Sequence, residues 1–461
     1  MSSITPTPTP TPDAPGAASP AAPGEATGSD GHIVIVGAGQ AGTMTAEALR
    51  SGGYTGAITL LGDEAHGPYH RPPLSKAWLA GEIGEAQLAL RAPEMLARRQ
   101  ITLRTGCSVN AIDRATRTVH LAGGEQLCYT GLVLATGATP RRLALPGADA
   151  PNVLVLRSRD DASAIAAALA RCAAQQLPVV VIGGGFIGLE VAATARKKGL
   201  AVTVLEAAPR LLGRVLAPAL SDWYAALHRH HGVQLVLDAR IDTIEQDTGG
   251  LARAVLLADG SRHACGLVVL GVGVSANDAL ASAAGLACDR GIIVDACART
   301  ADPRVVAAGD CTARRIDDAT AGSASLLRLE SVHNATEQAR SAAAALLGQA
   351  RPFTATPWFW SDQYDCKLQM AGLSAGADSW AVRGVMAAAA APTTASANGP
   401  ATSPVTFSVY HYRAGHLVAV DSVNAAKDHL QARKLLDAGV SPTPQQAANP
   451  SVDLAGLLTA G

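Results

Sequence analysis

Short, wholly apolar runs recur along this chain, and most of them end in glycine. Ile33-Val34-Ile35-Val36 runs into Gly37-Ala38-Gly39-Gln40-Ala41-Gly42, and Thr45 to Arg50 then has helical spacing. Apolar, β-branched residues without polar alternation predict a strand buried on both faces, as in the middle of a parallel sheet. A second strand, Ile58-Thr59-Leu60-Leu61, ends at Gly62-Asp63-Glu64 and completes a strand–helix–strand unit. The same order returns about 145 residues later. Val179-Val180-Val181-Ile182 meets Gly183-Gly184-Gly185-Phe186-Ile187-Gly188, a helix is predicted from Leu189 to Lys198, and Val202-Thr203-Val204-Leu205 ends at Glu206. Two such units imply two nucleotide sites.

Further apolar strands extend the pattern. Leu132-Val133-Leu134-Ala135 precedes Thr136-Gly137, Leu267 to Leu270 precedes Gly271-Val272-Gly273, and Val305 to Ala308 precedes Gly309-Asp310. Near residue 350 the composition changes to an aromatic-rich start followed by alternating strands such as Phe407-Ser408-Val409-Tyr410. The fold class expected is therefore α/β, two Rossmann-like dinucleotide-binding domains with a C-terminal α+β domain. Residues 1–31 are rich in Pro, Ala, Thr and Gly and read as a disordered tail, and 387–404 reads as a flexible insert within the last domain. The segment 441–461 is weakly patterned.

Composition narrows the class. The chain has 461 residues, 48% of them hydrophobic and 16% charged, which suits a folded protein of about three domains. A formal net charge of −1 argues against a nucleic-acid partner. No apolar run approaches the length that spans a bilayer, and the N-terminus lacks the basic start and apolar core of a secretory signal. A cytoplasmic protein without a membrane partner is expected. The eight cysteines show no CxxC pair and no zinc-ligand spacing, so no metal site is expected and the thiols read as small buried residues.

The two glycine motifs carry the chemistry. In each, the first glycine (Gly37, Gly183) makes a tight turn and the second (Gly39, Gly185) lets backbone approach a pyrophosphate. The third (Gly42, Gly188) lets helix and strand pack closely, and the helix N-terminus offers N–H groups to the phosphates. Asp63 follows Gly42 by 21 residues and Glu206 follows Gly188 by 18, so either carboxylate is placed to bond ribose hydroxyls. Glu206 would repel a 2′-phosphate, favouring NADH over NADPH at the second site, although Arg196, Lys197 and Arg210 lie near it in sequence. The glycines alone leave open which nucleotide each site holds.

The chain resembles the FAD-dependent, NADH-using ferredoxin reductases of oxygenase systems, the putidaredoxin reductase-like family. It is also similar to the reductase components of ring-hydroxylating dioxygenases and, more distantly, to apoptosis-inducing factor. The likeness runs from about residue 32 to 435. It is carried by PYHRPPLSK (68–76), LATGATPR (134–141), VIGGGFIGLEVAA (181–193), TADPRVVAAGDC (300–311), RLESVHNATEQAR (328–340) and PWFWSDQY (357–364). The resemblance implies a glutathione-reductase-like arrangement. FAD would occupy a discontinuous domain of 32–145 and 268–350, NADH the domain 146–267, and 351–440 would form the C-terminal domain.

It implies that Gly37, Gly39, Gln40, Ala41, Gly42 and Asp63 hold the ADP half of FAD. Arg71 and Lys76 would reach the flavin, Ala135, Thr136, Gly137 and Arg141 would close over the FAD site, and Asp310 would bond the ribityl chain. Gly273, Val332 and Trp360 join this set. Gly183, Gly185, Phe186, Ile187, Gly188 and Glu206 would serve NADH. Lys76 beside the ring would stabilise the charge that builds up on reduction, with Glu190 as its partner. Each assignment has a plainer counterpart. Lys76 also reads as a solvated loop lysine, Glu190 as a first-turn glutamate, Asp310 as the N-cap of a following helix, and the tryptophans as core anchors. The sequence also departs from the family pattern, with Ala276 in place of Pro, Gly266 in place of Asp, and His333 near the expected flavin face.

The function implied is electron transfer from NADH through FAD to a small two-iron ferredoxin that supplies an oxygenase, by a monomer or weak dimer. A flavin-dependent disulfide reductase would need a cysteine following the first unit, and none occurs between residues 32 and 106. The alternative from another class is a redox-sensing interaction protein of the apoptosis-inducing-factor type. Arg340 is a candidate basic contact for an acidic ferredoxin.

Overall fold

The computed structural model describes residues 31–318, 323–386 and 405–458. The tail expected at 1–31 and the insert expected at 387–404 therefore lie, but for residue 31, outside the described residues.

The first sheet is built as its sequence requires. Strand His32–Val36 pairs in parallel with Ala57–Leu61 on one side and Gly131–Leu134 on the other, placing Val36 beside both Leu61 and Leu134. Ile101–Arg104 and Val305–Ala307 complete the five strands. Ile33, Val34 and Ile35 are wholly buried, which explains the lack of polar alternation. Helix Gln40–Ser51 covers one face, and Leu49 shares a core with Ala342, Ala343 and Leu346 of helix Val332–Leu346. The other face carries its own cluster, from Val34 and Leu132 to Ile292 and Cys311.

The second sheet has the order Val233–Val236, Val202–Leu205, Val179–Ile182, Leu267–Leu270, Val153–Val155. Its membership corrects the boundary expected at residue 267. Leu267–Leu270 aligns with Val179–Ile182, Leu270 opposite Ile182, and the chain rejoins the first sheet only at Val305–Ala307. A run buried on both faces reads alike in either sheet, so its period carries no address. Between the sheets, Val274–Ala276 pairs antiparallel with Ala138–Pro140 as a two-stranded crossing ribbon.

The C-terminal unit is a five-stranded antiparallel sheet in the order Trp358–Gln363, Cys366–Gly372, His416–Val423, Phe407–Arg413, Ser379–Gly384. Of the segment 441–461, expected to be weakly structured, the described residues up to 458 pack instead. Helix Pro444–Ala448 is capped by Thr443, and Ala447 and Leu454 are fully buried against Tyr410, Tyr412 and Leu435. Few apolar residues suffice when a ready sheet face receives them. All three units meet around the turn Pro72–Ser75, where Leu74 and Leu79 join one core with Leu189, Trp223, Leu368 and Phe407.

Candidate functional site

A cavity of about 550 Å³ runs from the first glycine loop to the junction of the three units. Its far wall at one end is Gly37 to Ala41, and the glycines there divide their work. Gly37 sits at φ +109°, and a Cβ on it would stand 2.1 Å from the Ala135 carbonyl oxygen. A Cβ on Gly42 would lie 1.9 Å from the Gly37 oxygen, so this position exists for helix–turn packing. Gly39 differs, because an added Cβ would meet nothing within 4 Å. Gly39 lines the cavity and is the N-cap of Gln40–Ser51, a helix that no side chain caps. Uncapped N–H groups at the positive end of a helix form an anion site, and a bare backbone beside open space fits a pyrophosphate. Asp63 lines the same end, at the tip of the neighbouring strand.

The middle of the cavity is framed by Ala135, Thr136 and Gly137 and by Asp310. Thr136 Oγ1 donates to the Asn277 carbonyl at 2.6 Å, and Asn277 Nδ2 returns a bond to the Thr136 carbonyl at 2.9 Å, fixing the loop. Arg71 is held by Glu64 at 2.5 Å, by the Tyr69 hydroxyl at 3.0 Å and by the Arg157 carbonyl at 2.8 Å. Burial pushes the Tyr69 phenol well up, and its hydroxyl donates to Glu64. Asp310 caps no helix, because the chain continues into strand Thr312–Asp318. The helix that starts at this wall is Val332–Leu346, capped by Ser331, whose hydroxyl accepts from the Asn334 amide at 3.0 Å. Both Ser331 and Val332 line the cavity. Asp310 is instead oriented by Arg157, whose Nη2 lies 2.9 Å from its carboxylate. Glu330 nearby pairs with Arg328 at 3.0 Å.

At the other end stands the pair expected from the sequence. Lys76 Nζ lies 2.7 Å from Glu190 Oε2, although 114 residues separate them. Glu190 is 3% exposed, in the first turns of helix Phe186–Lys197. Two hydroxyls complete its coordination, Ser75 Oγ at 2.5 Å and Ser361 Oγ at 2.6 Å. A buried carboxylate needs such partners, because losing them would leave charge in a poor solvent. Trp360 and Phe359 close the wall, and Phe359 packs on Phe186 at 4.8 Å between ring centres. Trp358 and Tyr364 face elsewhere, Trp358 against Trp360 and His333, Tyr364 stacked on His231 at 3.6 Å. His333 does not line the cavity; it lies between Phe353 and Trp358.

The second glycine loop repeats the first. Gly183 has φ +111° with an added Cβ 2.4 Å from the Gly271 oxygen, and one on Gly188 would lie 2.2 Å from the Gly183 oxygen. Gly185 is again the open position, with its nearest neighbour at 3.9 Å, and it begins a helix with no side-chain cap. Glu206 accepts from the Gly184 amide at 2.5 Å and from the Ala208 amide at 2.7 Å. Phe186 and Ile187, at the start of the second loop's helix, also line the first cavity. Gly183, Gly185, Gly188, Glu206, Gly273 and Arg141 stand outside that cavity. Arg141 bonds Ser275 at 3.2 Å and the Gly273 carbonyl at 2.9 Å, and its neighbour Arg142 takes the lining position.

Among the described residues no group of three or more His, Cys, Asp or Glu is placed to hold a metal ion, and no helix is long and apolar enough to cross a membrane. All eight cysteines are free thiols, and none lines the cavity. Arg157 and Arg142 went unnoticed in the sequence, since neither belongs to one of its motifs, and Ser361 went unnoticed although PWFWSDQY contains it; Phe359 was seen there only as one of four clustered aromatics.

Residues 31–339 match the family model of the pyridine nucleotide-disulphide oxidoreductases, and 358–458 match the reductase C-terminal domain. The chain is 44% identical to rhodocoxin reductase of Rhodococcus erythropolis, over 92% of this chain and 93% of that one. It is 40% identical to putidaredoxin reductase CamA of Pseudomonas putida, over 93% and 97%. The crystal structure of the ferredoxin reductase for the CYP199A2 system from Rhodopseudomonas palustris superposes with a TM-score of 0.84 at 42% identity, covering 93% of this chain and 99% of that one. The covalent putidaredoxin reductase–putidaredoxin complex gives 0.84 at 39%, covering 94% and 99%.

Proposed function

This chain belongs to the pyridine nucleotide-disulphide oxidoreductases, in their putidaredoxin reductase-like ferredoxin reductase branch, and from that premise we propose how its residues serve the reaction. It passes electrons from NADH through FAD to a two-iron, two-sulfur ferredoxin, which carries them to an oxygenase. Bound FAD supplies the exchange between a two-electron donor and a one-electron acceptor. The observation that carries this reading is the single cavity joining an uncapped glycine-loop helix at one end to the Lys76–Glu190 pair at the other.

The amides of Gly39, Gln40 and Ala41 receive the FAD pyrophosphate, and Asp63 accepts from ribose hydroxyls. Ala135, Thr136, Gly137 and Val332 shape the middle of the site, and Asp310, oriented by Arg157, bonds the ribityl chain. Trp360 supplies an aromatic wall. Lys76 places a positive charge at the reacting end, where negative charge develops, and Glu190 keeps that ammonium group aimed there. Arg71 has its guanidinium held by Glu64, Tyr69 and the Arg157 carbonyl, so it frames the site wall.

NADH occupies the second loop, on the amides after Gly185, with Glu206 on the ribose. Of the cations near it in sequence, Arg196 is committed to the His231 and Leu200 carbonyls, and Arg210 faces the carbonyls of Leu216 and Gly213. Both arginines are engaged with carbonyls, exposed Lys197 is the remaining cation, and Glu206 opposes a 2′-phosphate, so NADH is preferred to NADPH. The absence of cysteine from the cavity lining leaves thiol–disulfide exchange without a nucleophile. Unpaired thiols throughout fit a reducing compartment, the cytoplasm.

The test is NADH-dependent cytochrome c reduction by the purified yellow protein, with and without a panel of two-iron ferredoxins. Stimulation by at least one ferredoxin supports the reading. No stimulation across the panel, together with a long-lived reduced-flavin complex, would replace it with the redox-sensing role.

A further inference from the structure

The Lys76–Glu190 pair is held from behind by groups that the reaction itself does not use. Ser361 Oγ lies 2.6 Å from Glu190 Oε1, and Gln363 Nε2 lies 3.1 Å from Ser361 Oγ. Gln363 Oε1 lies 2.8 Å from His228 Nε2, and His228 Nδ1 lies 3.2 Å from the Tyr364 hydroxyl. Glu190, Ser361, Gln363 and His228 are all at most 3% exposed. They come from helix Phe186–Lys197, strand Trp358–Gln363 and helix Pro218–His230, so the chain bridges the second sheet unit and the C-terminal unit.

Its polarity is fixed from one end. A carboxylate accepts and cannot donate, so the Ser361 hydroxyl donates its hydrogen bond to Glu190. The Gln363 amide N–H then fills the Ser361 oxygen, which leaves the amide oxygen for His228. His228 must therefore carry its proton on Nε2 and accept from Tyr364 on Nδ1. Burial pushes the His228 imidazolium pKa down to about 4, which keeps the ring neutral as this pattern demands. Each link is satisfied on both sides. Apolar residues would fill the same volume without such demands, so a complete polar chain ending on one carboxylate points to orientation as its purpose.

Resting on the functional reading above, we propose that Ser361, Gln363 and His228 are positioning residues, which fix the Glu190 carboxylate and through it the Lys76 ammonium group at the cavity wall. None of the three lines the cavity. The C-terminal unit thereby sets the geometry of a pair drawn from the other two.

The experiment compares FAD-loaded wild type with Ser361→Ala, Ser361→Thr and Gln363→Met. Stopped-flow bleaching of the flavin by NADH yields a limiting rate and an NADH dissociation constant. Nitrogen NMR of histidine-labelled protein, assigned with His228→Gln, reads the tautomer without any turnover. Ser361→Ala, which removes a buried bond to a charged group, is expected to lower the limiting rate about tenfold, and Gln363→Met, which removes bonds between neutral groups, about threefold. The NADH dissociation constant and the FAD content stay at wild-type values, and Ser361→Thr, which restores the hydroxyl, recovers most of the rate. Wild-type His228 shows the neutral Nε2–H form, and Gln363→Met shows a mixture of tautomers. Gln363→Met preserves volume and carries the test should removal of the Ser361 hydroxyl prevent folding. Unchanged limiting rates, a threonine variant no faster than the alanine one, or an Nδ1–H wild type would each overturn the proposal. Wild type that holds FAD but is not reduced by NADH would instead sink the functional reading, and the tautomer measurement separates the two failures.

Discussion

Gly39→Ala should separate the fold of the first glycine loop from its ligand. The backbone at Gly39 has φ −79° and ψ −161°, which alanine adopts freely, and an added Cβ meets no protein atom within 4 Å. Two small effects then act on the apoprotein in opposite directions. Restricting the unfolded chain stabilises by about 0.4–1 kcal/mol, and alanine is a poorer N-cap than glycine by roughly a similar amount. The melting temperature of the apoprotein should therefore hardly move. The methyl does enter the space given above to the FAD pyrophosphate, and overpacking of this kind costs about 1–3 kcal/mol. That corresponds to FAD binding weaker by roughly 5- to 150-fold. Gly42→Ala is the control, because its Cβ would lie 1.9 Å from the Gly37 oxygen and must distort the loop itself. The assay is FAD titration of apoprotein by quenching of flavin fluorescence, beside thermal melts with and without FAD. Gly39→Ala protein that binds FAD within twofold of wild type would refute the reasoning, since no ligand atom would then approach that face.

Lys76→Ala is expected to keep its FAD but to be reduced by NADH roughly tenfold or more slowly, since a charge aimed at the reacting end is lost; equal reduction rates would remove Lys76 from the mechanism. Glu206→Gln keeps the shape but removes the negative charge, so the ratio of kcat/KM for NADH over NADPH should fall several-fold, read from paired steady-state assays. Stability should depend on pH through His228 and His429, whose imidazolium pKa values burial lowers from 6.5 to about 4. The unfolded state binds these protons first, so stability is fully present above about pH 6.5 and falls as pH drops towards 4. Thermal melts across that window should show the loss, and His429→Gln should make it shallower. Gly185→Ala, the open position of the second loop, should leave FAD content unchanged while raising the NADH dissociation constant several-fold in equilibrium titrations.

What could be read from the chain alone was whatever a short window encodes. A buried strand, a glycine turn and the helix that follows occupy fewer than twenty consecutive residues, so Val34 to Leu49 and Val179 to Lys197 announced both loops and the acidic residues that follow them. The resemblance added Lys76, Glu190, Asp310 and Trp360, and the structure brings all four to one cavity. Tertiary structure decided what depends on distant partners. Leu267–Leu270 could join either sheet until its register with Val179–Ile182 was formed, because an apolar run looks alike in both. Asp310 was legible as a functional aspartate but not as the partner of Arg157, which lies 153 residues away. Ser361 reaches Glu190 across 171 residues and leaves no periodic trace. Local physical chemistry fixes elements and turns, whereas the meeting of Ser75, Lys76, Glu190 and Ser361 exists only once three units have packed around one carboxylate.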